Sequence, residues 1–122
     1  DDSPVDILLG IGGAPEGVLS AAALKCMGGD FQGQLKFRND DERKRAVTMG
    51  IQEPDKVFSM EELAKGDSVL FCATGVTDGE MLRGVRFNQK GAVTESIVMR
   101  ARSRTIRWLK SHHYFDFKPK YL

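Results

Sequence analysis

The sequence predicts an α/β fold, and three observations lead to this prediction. A strand, a glycine turn and a helix follow one another over residues 5–26, a β-prone apolar run occupies residues 68–73, and two strand-like segments, 94–102 and 105–112, close the chain. The chain has 122 residues, of which 41% are hydrophobic and 29% charged, and this suffices for one domain with one core. We therefore expect a single α/β domain over residues 1–122.

The first unit begins with a short apolar run, residues 5–9, which ends at a glycine and predicts a buried strand. The helix that follows the glycine turn is indicated by Pro15, since proline is favoured at the first helical position. Glu16 suits the first turn because a carboxylate there interacts favourably with the helix dipole. Apolar residues then recur at helical spacing as far as Cys26, and the Gly28-Gly29 pair predicts the end of the helix.

The middle of the chain predicts two further helices. The partial alternation of residues 31–37 is compatible with a strand, and Asn39 is a suitable cap for a charged helix over residues 40–48. Ser59 and Glu62 have the spacing of a capping box, which predicts a short helix to Lys65 closed by a glycine.

The second half predicts mainly strands. Residues 68–73 read as a central strand, 74–79 as a loop, and 81–87 as a lead into another strand. The terminal pair of strands would turn at Ser103-Arg104. We expect an irregular tail over residues 114–122.

Composition excludes two classes of function. The net charge is only +1, from 18 basic and 17 acidic side chains, and a dedicated nucleic-acid binder usually has a clear basic excess. No apolar run is long enough to cross a bilayer, and the first four residues do not resemble a signal peptide. We expect neither a nucleic-acid nor a membrane partner. Because the first residue is not Met, we also expect a processed or partial chain.

The glycine turn before the first helix is the first candidate site. Gly12 and Gly13 would let an anion approach the N–H groups at the helix start, so a phosphate would suit this position. Glu16 would repel a phosphate unless a divalent cation lay between them, and Mg²⁺ binds such a combination of carboxylate and phosphate oxygens. A tight strand-to-helix turn, in which Glu16 only stabilises the helix dipole, is the commoner explanation of the same residues.

The loop after the β-prone run is the second candidate site. Asp78 and Glu80 could bind a metal or pair with Arg83 and Arg86. A turn around Asp78 with a surface ion pair explains the loop equally well.

Basic and histidine residues near the end of the chain form a third group. If the strand continues far enough, Arg100, Arg102 and Arg104 share one face and could hold a phosphate or an acidic partner, although a solvated face is the commoner explanation. His112 and His113 are adjacent on a strand and should point to opposite faces, which argues against a joint metal site.

The two cysteines, Cys26 and Cys72, do not form a CxxC pair, and their spacing does not indicate zinc. We expect two buried thiols in a reducing compartment. A regulatory disulfide stays open, because sequence does not supply the Cα separation.

Several long motifs together resemble class II fructose-1,6-bisphosphatases of the bacterial and cyanobacterial type. They are GIGGAPEGV at residues 10–18, CMGG at 26–29, CATGVTDG at 72–79, MLRGV at 81–85 and SIVMR at 96–100. The resemblance runs in order from about residue 3 to residue 112, and motifs of this length are far more specific than a single glycine pattern.

The resemblance implies a layered α/β fold, that of the lithium-sensitive sugar phosphatases, of which this chain would be the C-terminal portion. It implies Mg²⁺ or Mn²⁺ as cofactor, with Glu16 as a metal ligand and the Gly12-Gly13 turn in contact with the substrate. The substrates would be fructose 1,6-bisphosphate and sedoheptulose 1,7-bisphosphate. No catalytic role carries over to Asp78, and residues 119–122 match no part of the family pattern.

The same resemblance implies that the other metal ligands lie in an N-terminal half that this chain lacks. We therefore expect the chain alone to be inactive, and the complete enzyme to be a dimeric or tetrameric homo-oligomer in the cytoplasm or the plastid stroma. The alternatives are a non-catalytic structural or interaction subunit derived from such an enzyme, and a small phosphate- or nucleotide-binding regulator.

Overall fold

A computed structural model describes residues 5–118. This part of the chain contains three helices and six strands, which confirms the predicted α/β class. The helices are α1, Ala14–Met27, α2, Asp40–Thr48, and α3, Met60–Leu63; the strands are β1, Gln32–Gln34, β2, Val57–Ser59, β3, Leu70–Thr74, β4, Arg86–Asn88, β5, Gly91–Arg100, and β6, Thr105–Tyr114; a 3-10 turn follows at Phe115–Phe117.

The larger sheet is antiparallel and has β5 at its centre. One edge of β5 pairs first with β4 and then with β3, and the other edge pairs along its full length with β6. The prediction of a central strand at residues 68–73 is therefore wrong in position, because β3 pairs only with β5 among residues 5–118. An apolar run is typical of a buried strand, but it shows neither how many neighbours the strand has nor whether both of its faces are covered.

The smaller sheet consists of β1 and β2, which pair antiparallel from Gln32 opposite Ser59 to Gln34 opposite Val57. Strand β1 lies within the segment predicted as strand-like. Strand β2 was missed, because its three residues are too few to show a period and lead directly into the capping box of α3.

Helix α1 packs against one face of the larger sheet. Cys26 of the helix lies in a cluster with Ile97 and Met99 of β5, and Phe71 of β3 and Ile106 of β6 pack against that cluster. These strand residues share a face because Phe71 and Ile106 both lie directly opposite Met99. The opposite face of the sheet is exposed at Leu70 and at Cys72.

The predicted strand at residues 5–9 is wrong. Residues 7–13 form neither helix nor strand, and the side chains of Leu8 and Leu9 are 88% and 85% exposed. A strand needs the N–H and C=O groups of a neighbour, and no strand among residues 5–118 pairs with this segment.

Local capping determines where the helices begin and end, as the sequence predicts. Pro15 lies in the first turn of α1, and Gly28 caps its C-terminus at φ 84°, a left-handed conformation that glycine adopts without cost. The side chain of Asn39 accepts a hydrogen bond from the N–H of Glu42 at 2.9 Å. Ser59 and Glu62 form the complete capping box of α3, although this helix ends at Leu63 rather than at Lys65.

The terminal hairpin also confirms the predicted pair of strands, with shifted limits. Strand β5 begins at Gly91 and ends at Arg100, so residues 101–104 form the turn, and β6 continues to Tyr114. Tyr114, the first residue of the predicted irregular tail, is thus the last residue of β6, and a 3-10 turn follows at Phe115–Phe117. Residues 119–122 lie outside the described part of the chain.

No helix within residues 5–118 combines the length and the apolar character that a membrane span requires.

Candidate functional site

The start of α1 places Glu16 beside the glycine turn. Gly13 is the N-cap residue, with φ −69° and ψ 149°, and no side chain caps the helix there. The first helical hydrogen bond runs from the N–H of Gly17 to the carbonyl oxygen of Gly13, at 3.1 Å. Because the first N–H groups of a helix have no partner within it, this end of α1 suits an anion.

The carboxylate of Glu16 folds back over Gly13. Its Oε2 atom occupies the position at which a Cβ atom on Gly13 would stand. No heavy atom lies within 4 Å of the corresponding position on Gly12. Gly12, Gly13 and Glu16 are all exposed, so the turn and the carboxylate form one open surface.

Metal binding requires more ligands than this surface contains. Within residues 5–118 there is no group of three or more His, Cys, Asp or Glu side chains arranged to hold a metal ion. Glu16 therefore offers one carboxylate, whereas a catalytic divalent cation needs several ligands in fixed positions. The described residues fit one part of a metal site and do not complete it.

The loop that contains Asp78 has a structural role. Its carboxylate oxygen Oδ1 accepts a hydrogen bond from the N–H of Gly84 at 2.9 Å, and the N–H of Val85 donates to the carbonyl oxygen of Val76 at 3.2 Å. A Cβ atom on Gly84 would lie 2.7 Å from the carbonyl carbon of Thr77, so this close approach requires glycine. Of the two explanations left open by the sequence, the geometry supports a turn stabilised by Asp78.

Arg86 forms an ion pair near this loop, but its partner is neither Asp78 nor Glu80. Arg86 pairs with Glu95 of β5 at 3.0 Å, and the same carboxylate accepts a hydrogen bond from the N–H of Arg83 at 3.3 Å. No ion pair of Glu80 occurs in the described part of the chain. Sequence reasoning missed Glu95, because only the register of β4 against β5 brings it next to Arg86.

The shared arginine face predicted for Arg100, Arg102 and Arg104 is wrong. Arg100 is the last residue of β5, and the other two lie in the four-residue turn that follows. Alternation between faces ends with the strand, so their spacing no longer places them on one side.

The two histidines behave as predicted. His112 lies opposite Val93, and His113 lies opposite Ala92, so they point to opposite faces of the sheet. The Nε2 atom of His113 forms a hydrogen bond with the hydroxyl of Thr94 at 2.9 Å.

The two cysteines lie on opposite sides of β3 and are both free. Cys26 is buried in the core, where burial raises the pKa of its thiol, and its Sγ atom lies 3.8 Å from the carbonyl oxygen of Val69. Cys72 is exposed, so the prediction of two buried thiols is right for Cys26 and wrong for Cys72. Cys72 alternates with the core residues Phe71 and Ala73, which directs it to the other face.

Comparison with known proteins identifies the family. The profile of the family described as "Bacterial fructose-1,6-bisphosphatase, glpX-encoded" matches residues 1–113. The chain is 46% identical to a D-fructose 1,6-bisphosphatase class 2/sedoheptulose 1,7-bisphosphatase of Synechococcus sp. (strain JA-3-3Ab), over 92% of this chain and 36% of the relative. It is 45% identical to the protein of the same name from Microcystis aeruginosa, over 97% of this chain and 37% of the relative.

These matches confirm the resemblance carried by the glycine turn and the Asp78 loop. The chain spans little more than a third of the length of the curated relatives that it matches. The family profile nonetheless matches nearly the whole chain, residues 1–113. The chain therefore belongs to the family of bacterial, glpX-encoded fructose-1,6-bisphosphatases.

Proposed function

We propose that this chain is part of a metal-dependent sugar bisphosphatase. In this proposal the chain supplies Glu16 as one ligand of Mg²⁺ or Mn²⁺, and its Gly12-Gly13 turn faces a phosphate of the substrate. The observation that carries the proposal is the position of the Glu16 carboxylate, which lies directly over Gly13 at the start of α1.

The charges at this end of α1 explain why a cation belongs there. The helix start attracts anions, and both the Glu16 carboxylate and a phosphate are negative. Two anions side by side repel each other, and a divalent cation that binds both removes that conflict. When bound, such a cation polarises the phosphoryl group and lowers the pKa of a water ligand. Gly13 contributes the space that the carboxylate occupies, since a side chain at this position would displace it.

The rest of the site must come from outside the described residues. Those residues contain one candidate ligand at the helix start, and the chain spans 36% of the relatives' length. Exposed apolar side chains also favour a missing neighbour, because a folded protein seldom leaves adjacent apolar side chains such as Ile7, Leu8 and Leu9 in water. We propose that the remaining part of the enzyme supplies further metal ligands and covers these side chains, and that the chain alone is inactive.

The relatives are named for both fructose 1,6-bisphosphatase and sedoheptulose 1,7-bisphosphatase activity. We extend both substrates to the complete protein that contains this chain. The two sugars share the bisphosphate arrangement that a metal and a helix start would recognise, so both belong in the same assay.

The decisive experiment compares Glu16→Gln with Asp41→Asn in the complete protein. Both variants replace a first-turn acid by its amide, in α1 and in α2 respectively, so both weaken a favourable interaction with a helix dipole. With saturating Mg²⁺ or Mn²⁺, we expect Glu16→Gln to lower kcat for fructose 1,6-bisphosphate by about 10²-fold or more, because a metal ligand is lost. Asp41→Asn should retain the wild-type kcat.

Other results would reject the proposal. Equal, small effects of the two substitutions would mean that Glu16 serves only the helix dipole. A complete protein that neither binds a divalent cation nor hydrolyses either sugar bisphosphate would instead support a structural or interaction subunit.

A further inference from the structure

An open depression of about 850 Å³ lies at the C-terminal end of α1, at the other end of the helix from Glu16. The start of α3, the loop before β3 and the turn between β5 and β6 form its other walls. Its charged lining residues are Lys25, Glu61, Lys65, Asp67, Arg102 and Arg104. Its lining is mainly polar, which suits a charged ligand better than an apolar one.

One pair of these charges is already neutralised. The Nζ atom of Lys25 lies 2.6 Å from a carboxylate oxygen of Glu61 and donates a hydrogen bond to the carbonyl oxygen of Ala64 at 2.9 Å. The Lys25 side chain is only 10% exposed, so this ion pair belongs to the wall of the depression.

The other charges leave an excess of positive charge. Lys65, Arg102 and Arg104 line the depression together with a single further acid, Asp67. None of the four forms an ion pair within residues 5–118. Three cationic residues from two separate segments thus line one depression, with only one further acid to balance them.

The backbone of Arg104 has a left-handed conformation. Its φ of 47° makes it the one non-glycine residue with a left-handed conformation in the described chain. Its guanidinium Nη1 atom lies 2.5 Å from the position that a Cβ atom on Gly28 would occupy, so Gly28 makes room for it. Glycine or asparagine would fit this turn position with less strain. A strained backbone at an arginine makes its side chain a candidate for a functional role.

The negative end of the α1 dipole also attracts a guanidinium, and this accounts for Arg104 alone. It does not account for Lys65 and Arg102.

We propose that the depression binds a small phosphate-bearing molecule, whose phosphate accepts hydrogen bonds from Arg102, Arg104 and Lys65. Arginine donates two parallel hydrogen bonds to a phosphate, which makes this the anion that the lining suits best. The site is separate from Glu16, because twelve residues of helix span about 18 Å.

The test is a calorimetric titration of the complete protein with inorganic pyrophosphate, with EDTA present to remove divalent cations. Lys65→Gln/Arg102→Gln is the test variant, and Arg107→Gln/Lys110→Gln on β6 is its control with the same change in net charge. We expect the dissociation constant to rise at least about tenfold in the test variant, because two charged hydrogen bonds are lost. It should stay within about twofold of the wild-type value in the control.

Arg104→Gly separates binding from a purely structural role. Glycine suits the left-handed turn, so the urea midpoint of this variant should equal or exceed that of the wild type, while pyrophosphate binds more weakly. A lowered midpoint with unchanged affinity would assign Arg104 to the helix end alone. The proposal is overturned if the wild type does not bind pyrophosphate, or if both double variants lose affinity equally. Unchanged affinity in Lys65→Gln/Arg102→Gln would place the bound pyrophosphate elsewhere and would also overturn it.

Discussion

The Oε2 atom of Glu16 occupies the space above Gly13 that any other amino acid would fill with its Cβ atom. The identity of one residue therefore determines where the carboxylate of another can lie. The two residues are three positions apart, which brings them together across the first turn of α1. The glycine at the N-cap of α1 therefore leaves room for the carboxylate of the proposed metal ligand.

Gly13→Ala tests this relationship. Alanine tolerates the φ of −69° at Gly13, so the free energy of unfolding should fall by less than about 1 kcal/mol. The methyl group should nevertheless displace the Glu16 carboxylate, and we expect the dissociation constant for Mn²⁺ in the complete protein to rise about tenfold or more. Gly10→Ala is the matched control, because no heavy atom lies within 4 Å of its Cβ position. Identical Mn²⁺ affinity in the two variants would contradict the assignment.

The core cluster beneath α1 predicts a large difference between two methionines. Met99 is fully buried, whereas Met49 is 84% exposed. Met99→Ala should lower the free energy of unfolding by about 2–5 kcal/mol, because it leaves a cavity between α1 and β5. Met49→Ala should change it by less than about 0.5 kcal/mol. Urea unfolding of both variants measures this difference, and similar midpoints would mean that the cluster around Met99 is not the core.

The capping box of α3 predicts a pH dependence of stability. The Lys56 ammonium, together with the N–H and hydroxyl of Ser59, lowers the pKa of Glu62 to about 2. A carboxylate whose pKa is lower in the folded state stabilises the fold above its ordinary pKa of 4.5. This contribution is lost as the pH falls from that value towards about 2.

Glu62→Gln should therefore lower the urea midpoint at neutral pH, and the difference from the wild type should shrink below about pH 4.5. Glu80→Gln removes an acid that has no ion pair within the described chain, and it should keep the wild-type pH profile. A difference between Glu62→Gln and the wild type that stays constant from pH 7 to pH 3 would count against the capping box as the cause.

Trp108, the single tryptophan, reports whether another part of the enzyme covers the sheet. It lies opposite Ile97 on the face that α1 covers in part, yet its side chain is 66% exposed. If the rest of the enzyme packs there, as we propose, the emission of Trp108 in the complete protein, taken as the difference from its Trp108→Phe variant, should lie at shorter wavelength than in the 122-residue chain. Acrylamide quenching should decrease in parallel. Equal quenching in the two proteins would show that nothing covers this face.

The sequence predicted those features that depend on neighbours along the chain. Pro15, Gly28 and Asn39 mark helix ends because a helix terminus is stabilised by residues within one turn of it. The placement of Glu16 next to Gly13 is of the same kind, since three residues of helix fix it. Alternation also separated His112 from His113 correctly.

Pairing between distant segments was decided only by the tertiary structure. Residues 5–9 have the composition of a buried strand, but a strand forms only where a neighbour offers its N–H and C=O groups. The central position of β5, the ion pair of Arg86 with Glu95, and the exposure of Cys72 depend on register between strands far apart in sequence. The approach of Arg104 to Gly28 likewise joins a hairpin turn to a helix end. In this protein, the sequence by itself determined the helix ends and the candidate ligand, because both depend on residues within one helical turn. Only the tertiary structure decided the arrangement of the sheet, because each strand pair joins residues that are far apart in sequence.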